Sequence, residues 1–127
     1  MLHLCYQDVK DFHEAFGHPV SDRPKFLDGD RKYNRIQWML EEIEEFVLSE
    51  TIEDQADAMI DLIYFAVGTM VEMGVDPYDI WNVVQDANMS KLFPDGKPHY
   101  NEDGKVIKPE GWSDPQPLIL QIIERMG

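Results

Sequence analysis

Two groups of acidic side chains stand out in this sequence, separated by a short stretch of chain. They are Glu41, Glu42 and Glu45 in the first group, and Asp54, Asp57 and Asp61 in the second. Residues three and four apart on a helix are neighbours, so each group forms one stripe if both segments are helical. Two such helices packed antiparallel would bring the carboxylates together. Hard oxygen ligands in that arrangement suit Mg²⁺ or Mn²⁺.

The first acidic group has an alternative explanation as a solvated helix face. Glu41 and Glu45 lie opposite an aliphatic stripe that we predict to be the core face of the helix. That stripe consists of Ile36, Leu40, Ile43 and Val47. On its own, this pattern favours an ordinary amphipathic helix.

The second acidic group is harder to explain in this way. From Ala56 to Met73 nearly every position is apolar, as in a buried helix, and charges there are costly unless they are paired or bound to metal. A narrow solvent-exposed stripe is the alternative. Asp54 also fits a capping box that begins at Thr51, although capping and metal binding need not exclude each other.

The elements that must position these acids are predicted to be helices. Their expected ranges are 6–16, 29–48, 51–74 with Thr51 as N-cap and Gly74 at the end, 76–92, and 118–126. Residues 94–117 are predicted to be a long polar loop or a short hairpin that turns at Asp103-Gly104. The pattern predicts an all-α bundle of four to five helices in a single domain, 1–127.

Composition limits the classes of partner and location. The chain has 127 residues, 43% of them apolar, and its 11 basic and 25 acidic residues give a net charge of −14. Such a charge repels nucleic acids and anionic membranes, so a phosphorylated ligand would need a divalent metal, although −14 also fits solubility alone. The single Cys5, the absence of a signal peptide and the short apolar stretch at 62–71 favour a cytoplasmic protein.

A polar pair near the end of the fourth helix is the next candidate. Asn88 and Lys91 fall near one face with Trp81 and Val84, where Lys91 offers a point charge for phosphate. A satisfied core Asn and a snorkelling Lys would give the same pattern. The other candidate cations are Arg35, Lys97, Lys105 and Lys108.

Several segments together resemble the MazG-like all-α nucleoside triphosphate pyrophosphohydrolases. Glu-Glu-x-x-Glu at 41–45 is followed by Ala-Asp-Ala-Met-Ile-Asp-Leu-Ile-Tyr at 56–64, Asn-Met-Ser-Lys at 88–91 and Gly-Lys-Val-Ile-Lys-Pro at 104–109. That superfamily includes dimeric dUTPases and phosphoribosyl-ATP pyrophosphohydrolase. The resemblance covers most of the chain.

The resemblance also implies roles for individual residues. The implied Mg²⁺ ligands are Glu42, Glu45, Asp54 and Asp57, with Asp61 as a further acid. Asp54 stands where the family usually has Glu, so whether it binds directly, binds through water or yields to Asp57 and Asp61 stays open. Glu41 or Glu45 would orient or deprotonate water. The implied substrate contacts come from Asn88, Lys91, Arg35, Lys105 and Lys108, and Lys91 would also stabilise charge on the departing pyrophosphate.

The expected activity is Mg²⁺-dependent hydrolysis of a nucleoside triphosphate between its α and β phosphates. The expected substrate is dUTP or another deoxynucleotide, in nucleotide-pool cleaning. A homodimer or homotetramer is expected, because the third helix carries more apolar surface than one neighbouring layer can cover. Two alternatives stay open: a non-catalytic helical metal-binding or interaction module, and a phosphoribosyl-ATP pyrophosphohydrolase.

Overall fold

Helices dominate the fold, and the candidate acidic residues lie on two of them. The computed structural model describes residues 1–127 and has five helices and no strand, which confirms the predicted all-α class. The helices are α1 (Leu2–Phe16), α2 (Gly29–Leu48), α3 (Ile52–Met73), α4 (Tyr78–Met89) and α5 (Gln116–Met126).

The ends of α2 and α3 follow the local signals in the sequence. The observed bounds of α2 match the prediction, and α3 lies between the predicted cap residues. The Thr51 hydroxyl accepts a hydrogen bond from the Asp54 backbone N–H at 3.1 Å, as expected of an N-cap. Gly74 ends α3 with φ 70°, and a Cβ there would collide with the Arg23 carbonyl, so both backbone and space require glycine.

Helix α4 ends at Met89 rather than at the predicted Leu92. In a continuing α-helix the Lys91 N–H would bond to the Ala87 carbonyl. That carbonyl instead accepts hydrogen bonds from the Ser90 hydroxyl at 2.7 Å and from the Trp112 indole N–H at 2.9 Å. The Lys91 N–H turns to the Asn88 carbonyl at 3.2 Å, which ends the helix.

The chain divides into two compact units, residues 1–77 with 126–127, and residues 78–125. In the first unit, α1 and α2 both pack against α3. Its apolar core consists of Tyr6, Val9, Val67 and Val71, with Val20 and Met70 packed against it. The assignment of 1–127 to a single domain stays a prediction.

The prediction that an aliphatic stripe of α2 forms the core is wrong, because the stripe is exposed in the chain. Its four aliphatic residues are 41%, 50%, 44% and 72% exposed, in the order Ile36, Leu40, Ile43 and Val47. The buried residue of α2 is Arg35, because the helix turns a polar stripe towards α3. Helix α3 also leaves apolar surface uncovered, with Ile60 60% and Ile63 51% exposed. Helical periodicity therefore identified the apolar face of α2 correctly, but it did not show that this face stays exposed in the chain.

The second unit contains α4, the polar loop and most of α5. The predicted hairpin exists in minimal form, as one antiparallel bridge between Tyr100 and Val106. Backbone bonds from Asn101 to Lys105 and from Ile107 to His99, both 2.9 Å, flank this bridge. Gly104 supplies the positive φ of 78° that the turn requires.

No single helix is both long and apolar enough to cross a membrane. Helices α3 and α4, which a short break separates, reach the required length and composition only when they are counted together.

Candidate active site

Three carboxylates from α2 and α3 converge in the first unit. Glu42 and Glu45 are one helical turn apart on α2, and Asp61 comes from α3, which packs against it. One oxygen from each of the three lies within 4.8 Å of the others. We call this group the carboxylate cluster. Its geometry follows from the i, i+3 spacing of the two glutamates and from helix packing.

No positively charged side chain pairs with the acids of the carboxylate cluster, and the pKa values of two of them are raised. Burial raises the pKa of Glu42 to about 7, with further contributions from a hydrogen bond to Glu45 and from the charges of Glu45, Asp61 and Asp57. Burial also raises the pKa of Asp61, followed by the charges of Asp57 and Glu45. None of the three cluster acids takes part in an ion pair.

An oxygen of Glu42 lacks a hydrogen-bond partner although it is buried. Oε2 of Glu42 is the only buried side-chain oxygen or nitrogen in the chain left in that state. A buried acceptor without a partner is costly, and converging carboxylates raise that cost by repulsion. A divalent cation bound by oxygen ligands would relieve both, so the residues present fit a Mg²⁺ or Mn²⁺ site.

The other predicted acids lie outside the carboxylate cluster at different distances. Asp57 is close enough for its charge to raise the pKa of both Glu42 and Asp61. Asp54 is exposed at the first turn of α3, where its backbone N–H bonds to Thr51. Glu41 is exposed on α2. The structure therefore brings together Glu42, Glu45 and Asp61, with Asp57 nearby, and leaves Asp54 in its capping position.

Arg35, a predicted substrate contact, lies in the interior and is 3% exposed. Its Nε donates to the Thr69 hydroxyl at 3.1 Å, and its Nη2 donates to the Phe65 carbonyl at 2.7 Å. Its Nη1 lies 3.2 Å from Oε2 of Glu72. Each nitrogen of the guanidinium thus has a partner within the chain, and at 3% exposure the side chain is closed to a phosphate group arriving from solvent.

The predicted substrate-binding residues of the second unit differ in the contacts that their side chains make within the chain. The Lys91 and Lys108 ammonium groups lie 5.6 and 4.6 Å from the centroid of the Trp112 ring. Lys105 is exposed in the hairpin turn, where its backbone N–H bonds to the Asn101 side chain. Asn88 is exposed, and its carbonyl accepts from the Lys91 N–H.

Sequence reasoning missed two groups of residues. Trp112 was not singled out, although an indole within an otherwise polar loop is a usable signal. The second group is a buried ion network of Glu72, Arg31 and Arg35 between α2 and α3. Its signal in the sequence is weaker, because Glu72 only continues the acidic stripe of Asp57 and Asp61 on α3.

Comparison with known proteins assigns the family. Residues 9–88 match the family model of phosphoribosyl-ATP pyrophosphohydrolase. This chain belongs to that family. A crystal structure of a protein from Exiguobacterium sp. 255-15, provisionally named an NTP pyrophosphohydrolase, is 33% identical and has a TM-score of 0.53. The match covers 95% of this chain and 94% of that one. No curated protein matches.

Family membership confirms the resemblance to the MazG-like superfamily and identifies the chain as a pyrophosphohydrolase. The matched region contains the carboxylate cluster and ends at Asn88. Enzymes of this type depend on a divalent metal, which agrees with the cation-poor cluster of acids.

Proposed function

We propose that this pyrophosphohydrolase hydrolyses a nucleoside triphosphate between the α and β phosphates in a Mg²⁺-dependent reaction. The products would be a nucleoside monophosphate and pyrophosphate. The observation that carries the proposal is the set of three carboxylate oxygens within 4.8 Å of one another, unpaired with any cation. Structural ion pairs do not explain such a set, whereas metal binding does.

We assign the metal site to the carboxylate cluster, with Mn²⁺ as a substitute for Mg²⁺. Asp57 is the next candidate ligand, and Asp54 a candidate through water. When bound, the metal supplies charge neutralisation of the triphosphate and a lowered pKa for a coordinated water. Glu45 or Glu41 acts as the group that orients or deprotonates the attacking water.

Lys91 stabilises negative charge on the departing pyrophosphate in this proposal. An ammonium group suits that role as a compact point charge. Asn88, Lys105 and Lys108 contact the nucleotide or its phosphates. Arg35 is omitted from this set, because its guanidinium is engaged by Glu72, Thr69 and Phe65.

Two substrate classes fit the same chemistry. The first is dUTP or another deoxynucleoside triphosphate, with nucleotide-pool cleaning in the cytoplasm as the biological role. The second is phosphoribosyl-ATP, which the name of the matching family favours. Both are cleaved at an α–β phosphate linkage, so the substrate rather than the reaction distinguishes them.

A homodimer or homotetramer is part of the proposal. The aliphatic stripe of α2 is 41–72% exposed, and α3, which packs against α2, exposes Ile60 and Ile63. Apolar faces of this extent on neighbouring helices favour burial against a second copy through an isologous contact. Light scattering at micromolar concentration is expected to give a multiple of 14.8 kDa, and a monomer mass would refute this part.

Product analysis by anion-exchange chromatography tests the reaction. Purified protein with Mg²⁺ is incubated with ribo- and deoxynucleoside triphosphates and with phosphoribosyl-ATP. We expect monophosphate and pyrophosphate with wild type, loss of both in Glu45→Gln, and retention in Glu44→Gln. Glu44→Gln is a matched control, because Glu44 is an exposed acid on the same helix outside the carboxylate cluster.

The outcomes separate the proposal from the non-catalytic alternative. Equal turnover in Glu45→Gln and wild type would refute the assigned site. No turnover across the panel, together with calorimetric Mg²⁺ binding that Glu45→Gln abolishes, would favour a metal-binding module without catalysis.

A further inference from the structure

Trp112 organises the end of α4 and two of the few cations in the second unit. Its indole N–H donates to the Ala87 carbonyl at 2.9 Å. The Lys91 and Lys108 ammonium groups make cation–π contacts with its ring, at 5.6 and 4.6 Å from the centroid. One side chain thus joins α4, the turn that follows it and the segment at 108–112.

The indole hydrogen bond fixes the backbone that carries Lys91. The Ala87 carbonyl is the acceptor that Lys91 would use if α4 continued. Because Trp112 and Ser90 occupy it, the helix ends and the Lys91 N–H shifts to Asn88. The same bond anchors the ring against which the Lys91 side chain rests.

The two lysines are held without being neutralised. Neither takes part in an ion pair, in a chain with 25 acidic residues and a net charge of −14. Contact with an aromatic face orders an ammonium group and leaves its positive charge available. Because both ammonium groups lie near the same ring, their separation cannot exceed the sum of their two distances to its centroid.

Space for a ligand lies beside the ring. A cavity of about 440 Å³ is lined by Ser90, Pro109, Trp112 and Ser113 and by one acid, Glu110. Lys91 and Lys108 are not among its lining residues, but each directly adjoins one of them in sequence. Two ammonium groups at the Trp112 ring, together with the hydroxyl groups of a cavity that the same ring lines, match an anion with several charged oxygens.

We infer that Trp112 is a positioning residue that holds Lys91 and Lys108 as a pair to bind a pyrophosphate group. The inference rests on the proposed function, in which pyrophosphate is the departing product. It adds a residue outside the matched family region, which ends at 88, and makes the two lysines one unit. It also predicts an anion site that exists without metal.

Binding of inorganic pyrophosphate, followed by ¹H–¹⁵N NMR of the indole N–H signals, tests the site directly. The chain has three tryptophans, and the Trp112 signal is assigned by its absence in Trp112→Phe. In metal-free buffer at low ionic strength, we expect pyrophosphate to shift the Trp112 signal more than those of Trp38 and Trp81. Lys108→Gln should abolish the shift, and Lys97→Gln, a matched loss of one charge in the same loop, should retain it.

Two results of this titration would overturn the inference. One is a Trp112 signal that stays fixed at millimolar pyrophosphate. The other is a shift that requires Mg²⁺ and disappears in Glu45→Gln, since the anion would then be held through the metal rather than by the lysine pair. Neither readout depends on turnover, so a failure here is distinguishable from a failure of the proposed hydrolysis.

A double-mutant cycle separates positioning from a merely structural role. Trp112→Ala is expected to weaken pyrophosphate binding about tenfold, since each exposed cation–π contact changes an equilibrium about two- to fivefold. In a background that already carries Lys91→Gln and Lys108→Gln, the same substitution should have almost no further effect. Trp112→Phe keeps an aromatic face and should recover part of the binding. Equal losses from Trp112→Ala in both backgrounds, with unchanged circular dichroism, would refute the inference.

Discussion

The α2–α3 pair holds carboxylates at two places, and the protein treats them in opposite ways. At one place Glu72, 2% exposed, accepts two hydrogen bonds from Arg31 at 2.8 and 2.9 Å and lies 3.2 Å from Arg35. At the other, the carboxylate cluster gathers three acids with no cation. The chain therefore neutralises one buried acid by its own arginines and supplies no cation to the other group.

This contrast separates an acid that the chain itself neutralises from acids that it does not. A buried carboxylate that two arginines of the same chain already neutralise has little to gain from binding a metal. The pKa of Arg31 is raised by its hydrogen bond to Glu72, as expected of a stable pair. The pKa of Glu42 is raised to about 7 by burial and neighbouring acids, as expected of a carboxylate that no cation of the chain neutralises.

The largest expected effect is on turnover, at the carboxylate cluster. Glu42→Gln should lower kcat/KM by roughly a hundredfold or more, because a metal supplies several kcal/mol of transition-state stabilisation and about 1.4 kcal/mol corresponds to tenfold in rate. The metal-free protein should lose no stability, since a repulsive charge is removed. Initial rates and thermal melts in EDTA measure the two effects. A marked drop in metal-free Tm would contradict the assignment of Glu42 as an unpaired acid.

The second expected effect is on stability, at the buried ion network. Glu72→Gln leaves two arginines without their carboxylate, one of them Arg35 at 3% exposure. Breaking one partner of a buried pair costs about 3–5 kcal/mol. Urea unfolding of the metal-free protein should show this loss, whereas Glu44→Gln should not. A loss below about 1 kcal/mol would indicate that the network adds little to the fold.

A smaller loss of stability is expected when Gly68, which leaves room for the buried ion network, is replaced by alanine. A Cβ on Gly68 would collide with Nη2 of Arg35 and lie 2.9 Å from Nε2 of His13. Gly68→Ala should therefore displace both side chains and destabilise the protein by about 1–3 kcal/mol, as overpacking does. A gain of stability, as for an ordinary helical Gly→Ala change, would show that Arg35 and His13 move at little cost.

Some of these features could be predicted from the sequence, because the chemistry of a few neighbouring residues determines them. Thr51 and Gly74 mark the ends of α3 through their own backbone chemistry, so both ends were predicted. Helical spacing places Glu42 and Glu45 on one face of α2, whereas the approach of Asp61 rather than Asp54 depends on how α3 packs against α2. The pairing of Glu72 with Arg31 and Arg35 depends on how α2 rotates against α3, which periodicity alone does not determine. The same rotation exposes the aliphatic stripe that was expected to form the core.

The smallest expected effect is a pH dependence confined to the carboxylate cluster. Glu42 faces Glu45 on its own helix and Asp57 and Asp61 on α3, and its pKa of about 7 lies above the ordinary glutamate value of 4.5. Between these values the folded protein keeps a proton that the unfolded chain has lost. Stability of the metal-free protein should therefore fall as pH rises from about 4.5 to 7 and level off above that range.

Substitution and metal should both weaken this dependence, which ties it to the carboxylate cluster. In Glu42→Gln the group no longer titrates, so the decline in stability between those pH values should be smaller than in wild type. Saturating Mg²⁺ favours the ionised carboxylates, so stabilisation by Mg²⁺ should grow with pH across the same window. Thermal melts of both proteins, with and without Mg²⁺, provide the comparison. An equal decline in Glu42→Gln would place the titrating group elsewhere and end the contrast with the neutralised Glu72.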